Sequence, residues 1–474
     1  MAIRPRFTHS GPLARSITWY GWAFVALIAV MSLVNFEHPI HGLGDVPAFT
    51  LAMGLFIVVG VVLMVLRHRE GLGAAVAVEP GRGVPGLGRI PAATWACLAA
   101  ATALFGYGLV TMLFSDPFIW VGKAHVVTPV PGDMVALPLV NGLFAAWAGF
   151  VVMAVTPRPG RLRLLWWVSF ALVPLSLLGW LRVSLTQGDA EPRLWTQMGG
   201  SAVYPAVLVL AMGVALASFL NHFRPRLSMW MVVAHLVLLL LTGSRGGLLM
   251  LGVFALLLVV RLGRQHTGAG QRLRNLPLRV YVLGGLAVLV AVFTSPILGR
   301  LDERSAGRLM TWRVGMGAWN DSIVHMVLGV GSGTIWPWFA YESGWQPHPW
   351  RSRVTGPFGY TLYHSHSLYL EVLAELGILG ALLLAGIVWP IAARWFKGGS
   401  TANVVVVSAV CACLVGFAFD LFLFKNFAIS LLWWTVAFGA LLSGADPRLS
   451  GTAGGAEPVM GRSRGDVPVA GDQP

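Results

Sequence analysis

Charge is what this sequence is short of. Only 11% of its 474 residues are Asp, Glu, Lys or Arg, against roughly 25% in soluble domains. Hydrophobic residues make up 56% and the mean hydropathy is +0.73. A water-soluble fold has no way to hide that much apolar surface, so lipid is the expected solvent for most of the chain. Cysteine is nearly absent. Cys97, Cys411 and Cys413 all fall in apolar stretches with no spaced framework, which excludes a disulfide scaffold or a zinc site. There is no Gly-Lys-Ser/Thr phosphate loop, so ATP hydrolysis is not expected. No His/Asp/Glu group has metal-ligand spacing, and no acidic pair resembles a magnesium-holding cluster, so neither metal nor cofactor is expected. Acidic residues are the scarcer sign, 19 against 33 basic, giving a formal charge of +14. The arginines sit in loops between apolar spans, which assigns them to topology control rather than nucleic acid.

What is present is a series of continuous Leu- and Val-rich runs. They are not alternating, so they read as helices rather than barrel strands. The expected architecture is an all-α polytopic membrane protein of about twelve transmembrane helices. The spans fall near 17–36, 47–66, 92–114, 134–155, 163–181, 202–221, 228–242, 246–262, 279–297, 366–393, 402–424 and 426–443. Most of the 33 Lys and Arg residues fall on the side of the N-terminus, which puts both termini in the cytoplasm. Arg4, Arg6 and Arg15 precede the first span without a small-residue cleavage signal, as in a retained signal-anchor helix. The chain divides into helices 1–9 over 1–297, a long outer loop over 298–365, helices 10–12 over 366–443, and a Gly/Pro/Ser-rich, disordered cytoplasmic tail over 444–474.

The long loop is too rich in aromatics for disorder. Between Ile335 and Tyr363 it carries Trp336, Trp338, Phe339, Tyr341, Trp345, Trp350, Phe358 and Tyr360. Before that, Leu309, Trp312, Met316 and Trp319 follow a helical spacing with Arg304, Arg308 and Arg313 beside them. This predicts an amphipathic interfacial helix over 305–322, ended by Gly329-Val-Gly-Ser-Gly333. That glycine run follows no strand and opens no Rossmann unit, so a dinucleotide loop is rejected.

Four features of the outer face carry candidate chemistry. Arg245 lies in the hairpin Leu241-Thr-Gly-Ser-Arg-Gly-Gly247. Glycines there let backbone N–H groups approach a ligand, and guanidinium suits bidentate phosphate recognition. The bland alternative is an arginine snorkelling from a helix end. Arg193 follows the fifth span and Arg308 opens the amphipathic helix. His364 and His366 stand at the mouth of the tenth span, where an imidazole titrates near neutral pH and meets water-borne substrates. His366 is expected on a helical stripe with Leu370, Leu373 and Gly377, and Ser365 or Ser367 caps that helix. Glu371 and Glu375 are expected inside the membrane, paired with bases or holding the helix in place. Asp420 and Lys425 read as a structural pair.

Taken in order, these residues resemble the O-antigen ligase / O-antigen polymerase superfamily of bacterial inner-membrane glycosyltransferases. The resemblance rests on the Ser-Arg-Gly-Gly hairpin, on Arg308 and Trp312 before the Gly-Val-Gly-Ser-Gly run, and on His366, Leu370, Glu375, Gly377 and Gly380 in sequence. Ser367 stands where Asn commonly follows the family histidine, and the proline often seen before Gly329 is missing. The resemblance implies metal-independent, inverting transfer of a glycan from undecaprenyl pyrophosphate, without nucleotide, at the periplasmic face of the inner membrane. In the ligase branch the acceptor is lipid A–core oligosaccharide, in lipopolysaccharide biosynthesis. Carried over by motif, His366 is the essential histidine and general base, and Arg245 and Arg308 bind the pyrophosphate. Arg193 matches by loop position alone. Trp336, Trp338 and Tyr363 are candidates for stacking on sugars. The role of His364 stays open, as does the acceptor: an O-antigen or capsule polymerase and a protein O-oligosaccharyltransferase use the same site. A transporter of an anionic lipid is the rival from another class.

Overall fold

The computed structural model describes residues 12–34, 48–77, 90–113, 118–121, 126–129, 132–187, 193–194, 196–263, 312, 315–334, 355–356, 359–360, 365–424 and 426–443. Helices dominate them. They are α1 (Pro12–Leu33), α2 (Ala48–Ala77), α3 (Ala92–Met112), α4 (Gly132–Val155), α5 (Arg158–Gln187), α6 (Pro205–Leu220), α7 (Pro225–Leu241), α8 (Arg245–Gly263), α9 (Ile323–Leu328), α10 (Leu368–Lys397), α11 (Thr401–Gly416) and α12 (Phe427–Ser443). Two short antiparallel hairpins, β1 (Phe118–Val121) with β2 (Val126–Pro129) and β3 (Thr355–Gly356) with β4 (Gly359–Tyr360), lie in connections. The sequence reading had no strands there. Each predicted span coincides with a helix except 279–297, which lies outside the described residues.

Six helices, α1 to α5 and α10, contain stretches long and apolar enough to cross a membrane, and α6, α7, α11 and α12 are shorter apolar helices. The protein is a multi-pass helical membrane protein. The short helices α6, α11 and α12 are the inner ones. α12 is buried from Phe427 to Leu442, and α6 and α11 bury most of their residues. A helix that is apolar all round belongs inside a bundle. Here α12 packs on α4, α11 and α6, while α11 also packs on α8 and α10. The longer α2 and α10 expose stripes of large apolar side chains, such as Leu55, Val58 and Val62 or Leu382, Trp389 and Phe396. Those faces suit lipid.

At one end of the bundle the carboxyl ends of α4 and α12 are closed by arginine. Arg161 donates from Nε to the Met153 carbonyl at 2.8 Å and from a terminal nitrogen to the Leu442 carbonyl at 2.8 Å. Arg67 donates to the Val155 carbonyl at 2.8 Å. Helix carboxyl ends leave carbonyls without intrahelical partners and carry partial negative charge, so these cations answer both needs. The amide of Asn403, placed so that its oxygen accepts from Arg394 and its nitrogen donates to the Ala440 carbonyl at 3.0 Å, continues this layer across α10, α11 and α12.

Three sequence expectations are corrected. The helix foreseen over 402–424 stops at Gly416, and residues 417–424 turn back, with buried Asp420 accepting from the Leu421 N–H at 2.8 Å. The helix foreseen over 305–322 does not run on to the glycines. Residues 315–319 are helical, 320–321 turn, and Ser322 caps a new helix, α9, by accepting from the His325 N–H at 3.1 Å. Asn320, Asp321 and Ser322 are turn and cap formers, which outweighs the apolar period. The stripe linking His366 to Gly377 does not exist. His366 precedes the helix and Gly377 breaks it.

Arg161→Met is expected to lower thermal stability in detergent by about 1–3 kcal/mol, since it leaves buried carbonyls unsatisfied. Arg69→Met, at an exposed position, should change the unfolding temperature little. Equal effects of the two substitutions would assign Arg161 to topology alone.

Candidate active site

Both candidate chemical groups that the structure describes lie at the other end of the bundle. The first is the turn before α10. Ser367 is extended and its hydroxyl accepts from the Leu370 N–H, so it is Ser367 rather than Ser365 that caps the helix. His366, just ahead of it and half-buried, has φ 58°. A side chain in that region is uncommon and persists only where the surroundings over-determine it.

They do so here. The Ser365 N–H donates to Glu371 Oε2 at 2.8 Å. The Ser365 carbonyl accepts from the indole N–H of Trp312 at 3.1 Å. The Ser365 hydroxyl donates to the Ser367 carbonyl at 2.6 Å and accepts from the Ser367 N–H at 3.0 Å, closing the turn on itself. On the far side, the Leu368 N–H donates to the Phe417 carbonyl at the end of α11, at 2.8 Å. The peptides around His366 are therefore held from α10, from the segment before α9 and from α11.

The second element supports the first. Helix α10 is interrupted at Gly377, with φ 63° and ψ −163°. The glycine run lies against the interruption. The Val330 N–H donates to the Ala374 carbonyl at 3.1 Å and the Gly331 N–H to the Glu375 carbonyl at 2.9 Å. The Gly333 N–H donates to Glu375 Oε2 at 3.1 Å. The backbones come so close that a Cβ on Gly329 would strike the Glu375 carbonyl, and one on Gly377 would strike Gly329 N. From α3, Tyr107 donates to the Leu328 carbonyl at 2.7 Å, and Thr111 Oγ1 accepts from the Ser332 N–H at 3.3 Å. Of the two roles expected for Glu375, holding the helix in place is the one these bonds show.

The third element is the hairpin between α7 and α8. Gly243 has φ 59°, and Ser244 Oγ accepts from the Gly247 N–H at 3.1 Å, capping α8 at Arg245. The segment after α5 docks on it through the Leu194 N–H, which donates to the Leu241 carbonyl at 3.1 Å. This carries Arg193 to the hairpin, where its Nε lies 3.8 Å from the point a Cβ on Gly243 would occupy. Arg193 and Arg245, distant in sequence, are thus neighbours in one region, each half-buried. The end of α11 stands between them and His366: Gly416 meets Met250 of α8, while the next residue, Phe417, bonds Leu368.

Arg308, Trp336, Trp338, Tyr363 and His364 lie outside the described residues, as does Lys425 of the Asp420–Lys425 pair. The sequence reading missed Trp312 and Glu371 as supports of His366. Trp312 showed as one of an apolar stripe and in the motif before the glycine run, and a carboxylate in the first turn of a membrane helix was the one signal for Glu371.

Residues 230–385 match the family model described as O-antigen ligase. The match runs from α7 through the hairpin, the glycine run and the His366 turn to just past the break in α10, and leaves out Arg193, the α3 contacts and the end of α11. No curated protein matches the chain. Over that stretch the chain is similar to the O-antigen ligase family.

Two outcomes follow from the clamp. Trp312→Phe keeps the ring and removes one hydrogen bond, worth about 0.5–1.5 kcal/mol. It should lower kcat for glycan transfer about tenfold with KM for the lipid-linked donor unchanged; a loss of thermal stability with intact kcat would make Trp312 merely structural. Gly377→Ala places a Cβ against backbone at a conformation that costs about 1–3 kcal/mol, and should depress the yield of folded protein in detergent. Gly106→Ala, with nothing within 4 Å of its new methyl, is the matched control and should be silent.

Proposed function

We propose that this membrane enzyme of the O-antigen ligase type transfers a glycan from undecaprenyl pyrophosphate to a hydroxyl of lipid A–core oligosaccharide, at the periplasmic face of the bacterial inner membrane and with inversion. The observation that carries the reading is the shared location of a clamped histidine and two arginines at one end of the bundle. That end is opposite the arginine layer of Arg67, Arg161 and Arg394, which the charge bias assigns to the cytoplasm.

In this mechanism His366 takes the proton from the acceptor hydroxyl as the oxygen attacks the anomeric carbon. The bond from that carbon to the pyrophosphate oxygen breaks, and the electron pair leaves with undecaprenyl pyrophosphate. Arg245, Arg193 and Arg308 bind the pyrophosphate and stabilise the charge that grows on it. Guanidinium groups do this without metal, through paired N–H donors. The tight hairpin fixes Arg245 relative to α8, so the charge is preorganised rather than recruited. Trp336, Trp338 and Tyr363 are assigned to sugar faces.

The test is reconstitution of the full chain with a labelled lipid-linked glycan and purified core oligosaccharide–lipid A. A covalent glycan–core product is expected, and it should persist in EDTA. Extension of the lipid-linked glycan instead would make the protein a polymerase, and movement of the lipid across the vesicle without a new bond would make it a transporter. His366→Gly should fold at least as well as the unsubstituted protein, because glycine takes φ 58° without strain. It should nevertheless lose transfer by about 10²–10⁴-fold, the usual value of a positioned base. Full activity in that variant would move the base elsewhere. Arg245→Lys, which keeps charge and loses the bidentate fork, should cost about ten- to hundredfold.

A further inference from the structure

Arg67 and Arg161 show how this structure uses arginine at helix ends: each donates to carbonyls, at distances down to 2.8 Å. Arg261, in the last turn of α8, stands in the same kind of position. Its Nε is nevertheless buried without a hydrogen-bond partner. An ionised donor taken from water and given no acceptor is costly. The position therefore suits an acceptor from outside the described residues.

The turn against which Arg261 lies is shaped for guanidinium groups. Helix α10 ends at Lys397, and Gly398 follows with φ 77°. A Cβ on Gly398 would strike a terminal nitrogen of Arg261, and one on Gly399 would strike a terminal nitrogen of Arg394. Two successive glycines thus let two guanidinium groups lie against one turn. Arg394 is oriented by the Asn403 amide oxygen, which accepts from two of its nitrogens at 3.0 Å. A guanidinium has five N–H donors, so others remain for a ligand. Lys397 is exposed at the same turn. Ser400 caps α11 by accepting from the Asn403 N–H at 3.3 Å, and its own O–H is left to donate.

No acid from these helices offsets the charge. The sequence has no Asp or Glu over 245–301 or 376–419. Among the described residues none of Arg261, Arg394 and Lys397 enters an ion pair. Topology control needs positive charge in a loop, but does not need it gathered on a glycine turn. Like charges held together repel, and an anion between them removes that cost. A phosphate group presents oxygens on several sides. That suits donors that come from α8, from α10 and from the α11 cap, two of them forked.

We infer that the turn between α10 and α11, together with the end of α8, binds a phosphate group. Arg261 and Arg394 hold its oxygens, and Lys397 and the Ser400 hydroxyl add a charge and a donor. A soluble phosphate and the head of an anionic phospholipid share this chemistry. The site is at the end of the bundle opposite His366 and does not rest on the transfer reaction.

The test follows thermal unfolding of the full chain in detergent during titration with inorganic phosphate, with phosphatidylglycerol, or with phosphatidylcholine of the same chains. A ligand of the folded state raises the unfolding temperature. Saturable stabilisation by phosphate, against chloride of equal ionic strength, makes the ligand a soluble phosphate. Stabilisation by phosphatidylglycerol well below the concentration needed for phosphatidylcholine, with no response to phosphate, makes it a lipid head. In either case Arg261→Gln, which removes a group whose Nε has no partner, should weaken binding about tenfold. Lys397→Gln, at an exposed position, should cost about fivefold, and it decides the matter should the Arg261 variant fail to fold. Arg69→Gln, exposed on α2, should leave binding unchanged. Stabilisation by neither probe overturns the site. So does undiminished binding in the Arg261 variant, or in the Lys397 variant where that one alone folds, and so does an equal loss in the Arg69 variant.

Discussion

A helix broken inside a membrane protein must find partners for the backbone groups that the break sets free, because lipid offers none. In this chain the break is at Gly377, and the Ala374 and Glu375 carbonyls are answered by the N–H groups of Val330 and Gly331. That exchange ties the glycine run to the first half of α10. It explains why glycine is needed on both sides of the contact, since a Cβ on either Gly329 or Gly377 would enter the other's backbone. It also explains Glu375. A carboxylate is costly in a span, and here it receives a backbone N–H from the run it helps to anchor. The short helical piece from Leu368 to the break is thereby held as a rigid platform, and the histidine turn sits on its first residue.

The arginines divide by what they bond. Arg67 and Arg161 donate to carbonyls at the ends of α4 and α12 and close the bundle. Arg224 lies on aromatic rings. Arg193 and Arg245 meet at a hairpin that offers φ-positive glycine and a serine cap. The same residue type thus serves helix ends, a ring platform and a preorganised cationic corner, and composition alone does not separate these uses. The positive-inside bias describes all the loop arginines equally well, so it states where the charge lies and nothing about its task.

Much of the fold was legible because lipid selects for apolar content in every window of a span, and that selection is local. A serine cap at Ser365 or Ser367 and the hairpin around Arg245 were legible for the same reason: each is decided within about four residues. The supports of the site were not. Trp312 and Ser365 are 53 residues apart, and Glu375 and Gly333 are 42 apart. No periodicity encodes such pairings. The helical stripe drawn from His366 to Gly377 failed because it assumed a continuous helix, whereas the glycine at its end is there to interrupt one. The partner of the glycine run, an opened helix, had no local signature.

The clamp on His366 bears on how such a site would work. Every bond described around the turn is made to backbone or to a serine hydroxyl: Trp312 and Glu371 grip the two polar groups of Ser365, and Ser365 grips Ser367. These bonds fix the backbone of the turn, and His366 is half-buried at its crest. A general base works when its position relative to the attacking hydroxyl is fixed before the substrate arrives. Holding the backbone in a strained conformation fixes the point from which the imidazole projects. The cost is local, of the order of 1–3 kcal/mol, and the hydrogen bonds to Ser365 and Ser367 are of the size needed to offset it.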